Sequence, residues 1–141
     1  MTLIRDATIE DCASCARLSR IPELKAPDGS YLSEEYFRAF VDEDRMFFVA
    51  DDGKVKGYVL GEPLKGGVAL LGLLAVDPDT RGQGLGKKLI ERFRLRCDEL
   101  GFEAILFYAP TFNEDTLAFY EKRGFIRGKE YAAFLDVRGT P

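Results

Sequence analysis

Chemistry is suggested first by the stretch from Val76 to Ile90, VDPDTRGQGLGKKLI. Gly82, Gly84 and Gly86 alternate with other residues, and Lys87 and Lys88 follow where an amphipathic pattern begins. Glycine there costs backbone entropy, and lysine in a first helical turn meets the positive end of the macrodipole. Both choices make sense around an anion. A glycine-rich turn between a strand and a helix lets several amide N–H groups converge on a phosphate, and the lysines add charge to the same place. Asp98 and Glu99, in the last turn of the same helix, also oppose the dipole.

Spacing separates the kinds of phosphate loop. The dinucleotide fingerprint GxGxxG fails, because Lys87 or Leu89 stands where its third glycine belongs. The nucleotide loop GxxxxGK[ST] fails as well: Gly82 is one residue too close to Gly86-Lys87, and Lys88 replaces Ser or Thr. The pattern [QR]-x-x-G-x-[GA] fits as Arg81-Gly82-Gln83-Gly84-Leu85-Gly86. This segment, with the LLAVDP before it, resembles the pyrophosphate loop of the GNAT superfamily of N-acetyltransferases. NEDTLAFYEKRGF (Asn113 to Phe125) resembles the second landmark of that family, an Asn followed by a short helix carrying a Tyr and then a Gly-Phe pair. IRDATIEDCASCARL resembles its first strand and helix, so the likeness covers nearly the whole chain.

The resemblance implies an acetyl-CoA-dependent N-acetyltransferase that passes the acetyl group directly to a primary amine of a small molecule, peptide or protein. The alternative is a non-catalytic module that binds acetyl-CoA. The backbone of Leu74, Ala75 and Val76 would pair with the pantetheine arm. The amides of Gly82, Gln83, Gly84, Leu85, Gly86 and Lys87, with the Arg81 side chain, would hold the pyrophosphate. Asn113 would face the arm, and Tyr120 would contact it and act as general acid toward the departing thiolate. No metal is implied. The cleft requires two parallel strands to splay apart near Val76 and Tyr108. The central strand VALLGLLAV carries no ionisable side chain, which leaves Glu62, on the preceding strand, as the nearest acidic candidate for a base. The acceptor side would be built from IPELKAPDGSY, with Glu23, Lys25 and Asp28, together with Tyr108 and the turn before Tyr131.

The elements that must position these groups read as one mixed α/β domain over residues 1–141, with about seven strands and four helices. Thr2 to Ala7 reads as a strand, and Thr8 with Asp11 opens a helix over Ile9 to Arg20. A second helix starts at Ser33 and runs through Val41. Met46 to Ala50 and Val55 to Glu62 form a hairpin about Asp52-Gly53. Val68 to Val76 is apolar throughout, as a strand covered on both faces should be. A helix follows to Leu100, closed by Gly101. Glu103 to Ala109 is a strand reached by a parallel crossover. Thr116 to Lys122 is a short helix ending at Gly124, and Phe125 to Arg127 and Tyr131 to Val137 are the last strands.

Composition sets the outer bounds. The 141 residues include 46% hydrophobic and 31% charged side chains, and the net charge of −4 argues against a nucleic-acid surface. No run is long enough for a membrane span, and MTLIRDATIED does not read as a signal peptide, so a cytoplasmic protein is expected. The absence of histidine removes the commonest general base and the usual zinc ligands. Cys12 and Cys15 form a lone CxxC on a helical pattern and read as buried helix residues. A monomer or homodimer is expected, the open last strand being the edge a second copy would use.

Overall fold

One sheet of five strands carries the chain: β1 (Leu3–Asp6), β2 (Phe47–Asp51), β3 (Val55–Leu64), β4 (Val68–Val76) and β5 (Ala104–Leu106), lying side by side in chain order. The computed structural model describes residues 1–26, 28–41, 44–80, 82–107 and 114–126. The chain divides into two compact units, Met1–Tyr108 and Ala109–Pro141, and the sheet belongs to the first. The expectation of about seven strands is therefore corrected to five among the described residues. Phe125 and Ile126 are not in a strand, and 127 and 131–137 lie outside the described residues. Among the described residues there are four α-helices, the number expected: α1 (Cys12–Leu18), α2 (Glu34–Arg38), α3 (Leu85–Glu99) and α4 (Glu114–Lys122).

Strands β1 to β4 are joined antiparallel, and β4 and β5 are parallel across the α3 crossover. Alternation along β3 sends Tyr58 and Leu60 to one face and Gly57, Val59 and Gly61 to the other. The first face packs with Cys12, Cys15 and Phe37 from α1 and α2. Phe37 and Tyr58 meet edge to face with centroids 5.2 Å apart. Tyr58 shares a buried 2.5 Å hydrogen bond with Ser19, whose hydroxyl also donates to the Cys15 carbonyl. Cys12 and Cys15 are thus core residues, both fully buried. The second face takes α3, whose Leu89 and Phe93 lie over Gly57 and Gly61.

Local signals explain most boundaries. The Asp11 carboxylate accepts from the Thr8 amide at 2.8 Å, and a 3-10 turn (Ile9–Asp11) precedes α1. Arg5 on β1 grips that carboxylate with two bonds, at 2.8 and 2.9 Å, and reaches Asp51 on β2. α2 stops at Arg38, earlier than expected; the Ser33 hydroxyl caps it by accepting from the Tyr36 amide at 3.2 Å. At its far end α3 closes as a Schellman motif. Gly101 is left-handed (φ 82°), Phe102 donates to the Cys97 carbonyl and Gly101 to that of Asp98.

Helix α3 is pinned to the sheet by Arg96, only 4% exposed. Its guanidinium bonds both Asp6 oxygens, at 3.1 and 3.3 Å, donates to the Arg45 carbonyl and stacks on Phe48, 4.9 Å from the ring centroid. Arg92 stacks on Phe48 as well, at 4.7 Å. Both arginines bond Glu99, so the acidic last turn is answered within the helix itself. A rigidly seated α3 fixes where its N-terminus points.

Candidate functional site

The N-terminus of α3 has no side-chain cap. Gly84 is the residue before the helix, with φ 75° and ψ 17°, and Gly82 is left-handed too, with φ 88°. A β-carbon at either would meet nothing within 4 Å. The requirement for glycine here is thus conformational: the chain must turn through the left-handed region that other residues enter at a cost. The first intrahelical bond runs from Lys88 to the Gly84 carbonyl, at 3.1 Å. Helix geometry therefore leaves the amides of Gly84, Leu85, Gly86 and Lys87 without a helical acceptor. The turn before it is anchored. Asp77 donates to Lys56 at 2.7 Å, and its carbonyl accepts from both the amide and the hydroxyl of Thr80. Gly82, Gln83 and Gly84 are exposed while Leu85 is buried, which seats the helix start with its amides outward.

Charge at this end is positive and only loosely held. Lys87 lies 4.0 Å from Glu91, both side chains being 60% exposed, an arrangement that contributes little. Lys88 is also exposed.

The strand leading into this turn is paired along only part of one edge among the described residues. Pairing between β4 and β5 covers Val68–Ala104, Ala69–Ile105 and Leu70–Leu106 and then ends, so Leu71 to Val76 have no strand on that side among the described residues. The splay expected near Val76 and Tyr108 involves residues 108–113, which lie outside the described residues. Which backbone groups face the gap follows from alternation. The Asp77 amide bonds Lys56 on β3, and Ala75 sits opposite Tyr58 two residues earlier. Those two positions turn toward β3, so Leu74 and Val76 point their N–H and C=O groups into the gap. Of the three backbone positions expected to pair with the donor arm, Ala75 is thus directed away.

Tyr120 lies on α4, half-buried. Its spacing from the Gly-Phe pair has a structural cause. Gly124 is left-handed (φ 91°), Phe125 donates to the Tyr120 carbonyl at 3.2 Å, and the two rings meet edge to face at 5.6 Å. This is a Schellman ending in which the residue after the glycine packs back on the last turn. Burial pushes the Tyr120 hydroxyl up to about 12. Arg81, Tyr108, Asn113 and Tyr131 lie outside the described residues.

Glu62 is half-buried on β3, opposite Leu70, the last residue of β4 that pairs with β5. Alternation puts it on the α1–α2 face, with Tyr58 and Leu60. Tyr36 of α2 is 38% exposed. Burial and then the Glu62 charge push its hydroxyl pKa up. On the α1–α2 loop, Asp28 is occupied by accepting from the amide and hydroxyl of Ser30, at 2.9 and 2.6 Å.

Comparison with known proteins identifies the family. The model of the acetyltransferase (GNAT) family matches residues 11–125. The chain belongs to the GNAT family. Among curated GNAT relatives, the mycothiol acetyltransferase of Propionibacterium freudenreichii subsp. shermanii is 43% identical over 80 residues, covering 55% of this chain and 21% of that protein. The amino-acid acetyltransferase of Ralstonia nicotianae is 32% identical over 126 residues, covering 87% of this chain and 26% of that protein. The chain therefore spans about a quarter or less of the length of these relatives. The crystal structure of the ribosomal-protein-S18-alanine N-acetyltransferase from Escherichia coli is similar throughout, with a TM-score of 0.75 and 25% identity over 92% of this GNAT chain and 80% of that one.

Proposed function

We propose that the protein is an N-acetyltransferase that moves the acetyl group of acetyl-CoA to a primary amine. The observation that carries this reading is the uncapped, glycine-turned start of α3, directly after a strand whose far half has no neighbour on one side among the described residues. A pyrophosphate fits the first element, since the amides of Gly84 to Lys87 need an acceptor and the lysines beside them need an anion. An extended amide chain fits the second, adding to β4 as another strand would. Arg81 and Asn113 are assigned to the same donor by their positions in the motifs.

Acetyl-CoA, when bound, supplies an activated thioester. The chain's own groups then have distinct tasks. The outward amides of Leu74 and Val76 would hold the arm, and one of them would stabilise the carbonyl oxygen as charge develops there. Tyr120, whose hydroxyl burial pushes up to about 12, would donate to the sulfur as the C–S bond breaks. Glu62 draws a cationic amine toward the gap and accepts a proton from it. β4 offers no ionisable group for that task. The alternative of a non-catalytic module is not favoured, since both curated relatives are named as acetyltransferases.

Thermal unfolding with acetyl-CoA, ATP and NAD in parallel tests the donor assignment. Ligand at about 100 times its dissociation constant adds roughly 2.7 kcal/mol, which raises the midpoint by several degrees at this size. A shift with acetyl-CoA alone is expected. A larger shift with ATP or NAD would overturn the reading.

A further inference from the structure

The sheet contains three glycines away from its turns, and two of them are explained by packing. A β-carbon at Gly57 would approach the Ala75 carbonyl at 3.1 Å and Leu89 at 3.2 Å. One at Gly61 would stand 2.3 Å from the Leu70 carbonyl and 2.5 Å from Phe93. Gly72 is different. Its φ lies outside the left-handed region, and a β-carbon there would rest at ordinary contact distance on Leu60, 3.4 Å from the side chain and 3.5 Å from the carbonyl. Neither conformation nor crowding within the fold asks for glycine, yet glycine in a strand interior weakens the strand. Such a residue marks a bulge or the close approach of something else.

Gly72 is at a bulge. Leu60 pairs with Leu73 and Gly61 with Leu71, so Gly72 is the extra residue, without a partner on β3. It also lies two residues past Leu70, the last residue that pairs with β5 among the described residues, and it is exposed. A donor anchored at the α3 N-terminus runs back along β4 past Val76 and Leu74, against the chain direction. Four residues of strand, roughly 13 Å, bring it from Val76 to Gly72. The surroundings at that point are apolar: Leu60 is 1% exposed and Leu73 packs against the same core cluster.

We propose that Gly72 is the floor of the acyl pocket, and that the missing side chain leaves room on its exposed backbone beside Leu73 for an acyl group longer than acetyl. This rests on the acyl-CoA donor reading above and sets its specificity: a short, saturated acyl chain of two to about four carbons lies on the bare backbone of the bulge.

The test needs no acceptor. Dissociation constants of CoA, acetyl-CoA, propionyl-CoA and butyryl-CoA are measured by calorimetry on the full chain and on Gly72→Ala and Gly72→Val. The wild type is expected to bind the three acyl-CoAs within about threefold of one another. Gly72→Ala, whose added carbon the fold accommodates, should leave CoA within twofold and weaken butyryl-CoA at least fivefold. Gly72→Val should weaken acetyl-CoA as well, still without affecting CoA. The proposal is overturned if CoA and all acyl-CoAs move together or not at all. It is equally overturned if the wild type already rejects propionyl- and butyryl-CoA tenfold against acetyl-CoA. A wild type that binds none of the four overturns the donor reading itself, a failure visible before any variant is compared.

Discussion

Phe93 of α3 lies against the bare backbone of Gly61, close enough that a β-carbon on Gly61 would stand 2.5 Å from the ring. The contact sets how near α3 comes to β3. The Leu70 carbonyl closes the space from the other side at 2.3 Å, so neither neighbour has a free route of retreat. Overpacking of this kind costs about 1–3 kcal/mol or more. Gly61→Ala is expected to lower the urea midpoint by an amount in that range, with the slope unchanged. A midpoint within error of wild type would show that α3 can ride outward at no cost.

Gly84 carries the other glycine-dependent geometry. A left-handed φ costs a residue with a side chain about 1–2 kcal/mol, and nothing crowds the position. Gly84→Ala should therefore lose stability by roughly that amount, or let the turn relax and move its amides. In either case acetyl-CoA affinity falls, whereas Lys88→Ala should weaken binding chiefly at low salt. Calorimetry at two salt concentrations separates the two effects; equal salt slopes in Lys88→Ala and wild type would remove the lysine from the site.

Stability should fall in mild alkali. Burial pushes the Cys97 thiol up to about 11, from an ordinary 9.0, and raises Cys12, Cys15 and Tyr58 as well. In each the folded chain holds its proton to higher pH than the unfolded chain does. The sign follows: stability is complete below pH 9 and declines as pH rises toward 11, since the unfolded state then binds fewer protons. Urea midpoints from pH 7.5 to 10.5 should drop, and Cys97→Ala should flatten the decline. A midpoint independent of pH would contradict the burial of these groups.

The strands and helices that dominate the fold were legible because their residues face one solvent environment each. Val68 to Val76 and the start of α3 were read at their observed bounds, the first from an unbroken apolar run and the second from glycine followed by periodic leucines. The second helix was read too long, since Phe40 and Val41 continue an apolar pattern that packs on the core without being helical. In the site, the glycine loop was legible because left-handed φ demands glycine. The direction of Ala75 was not, because it depends on pairing register, which no residue type encodes. Gly72 was missed for a related reason: its meaning lies in the contrast with Gly57 and Gly61, visible only once packing is known.

Glu62 stands opposite Leu70, at the last described β4–β5 rung, and its charge acts on Tyr36 of α2. Arg38 and Glu34 on α2 pair with each other. Glu62→Gln should reduce kcat/KM for an alkylamine acceptor about tenfold or more, consistent with loss of a general base. Hydroxylamine, already neutral at pH 7, should be affected far less. Acetyl-CoA binding should not change. Equal effects on both nucleophiles, or none, would leave Glu62 as a solvated strand-end charge.

Tyr120 is the sharper test of chemistry, because its fixed position and its role are separable. The Phe125 ring and the Gly124 turn hold the side chain whether or not it carries a hydroxyl, so Tyr120→Phe should fold with a midpoint near wild type. A proton donor to the leaving thiolate contributes roughly 10²–10⁴-fold, and kcat should fall by about that factor with little change in the KM for acetyl-CoA. Since burial holds the phenol protonated up to about 12, the wild-type rate should show no alkaline fall from this group below pH 10. A leaving group more acidic than an alkyl thiol needs less help. A thioester of an aryl thiol should therefore recover much of the lost rate in the variant. Unchanged kcat in Tyr120→Phe with acetyl-CoA would assign the residue to packing alone.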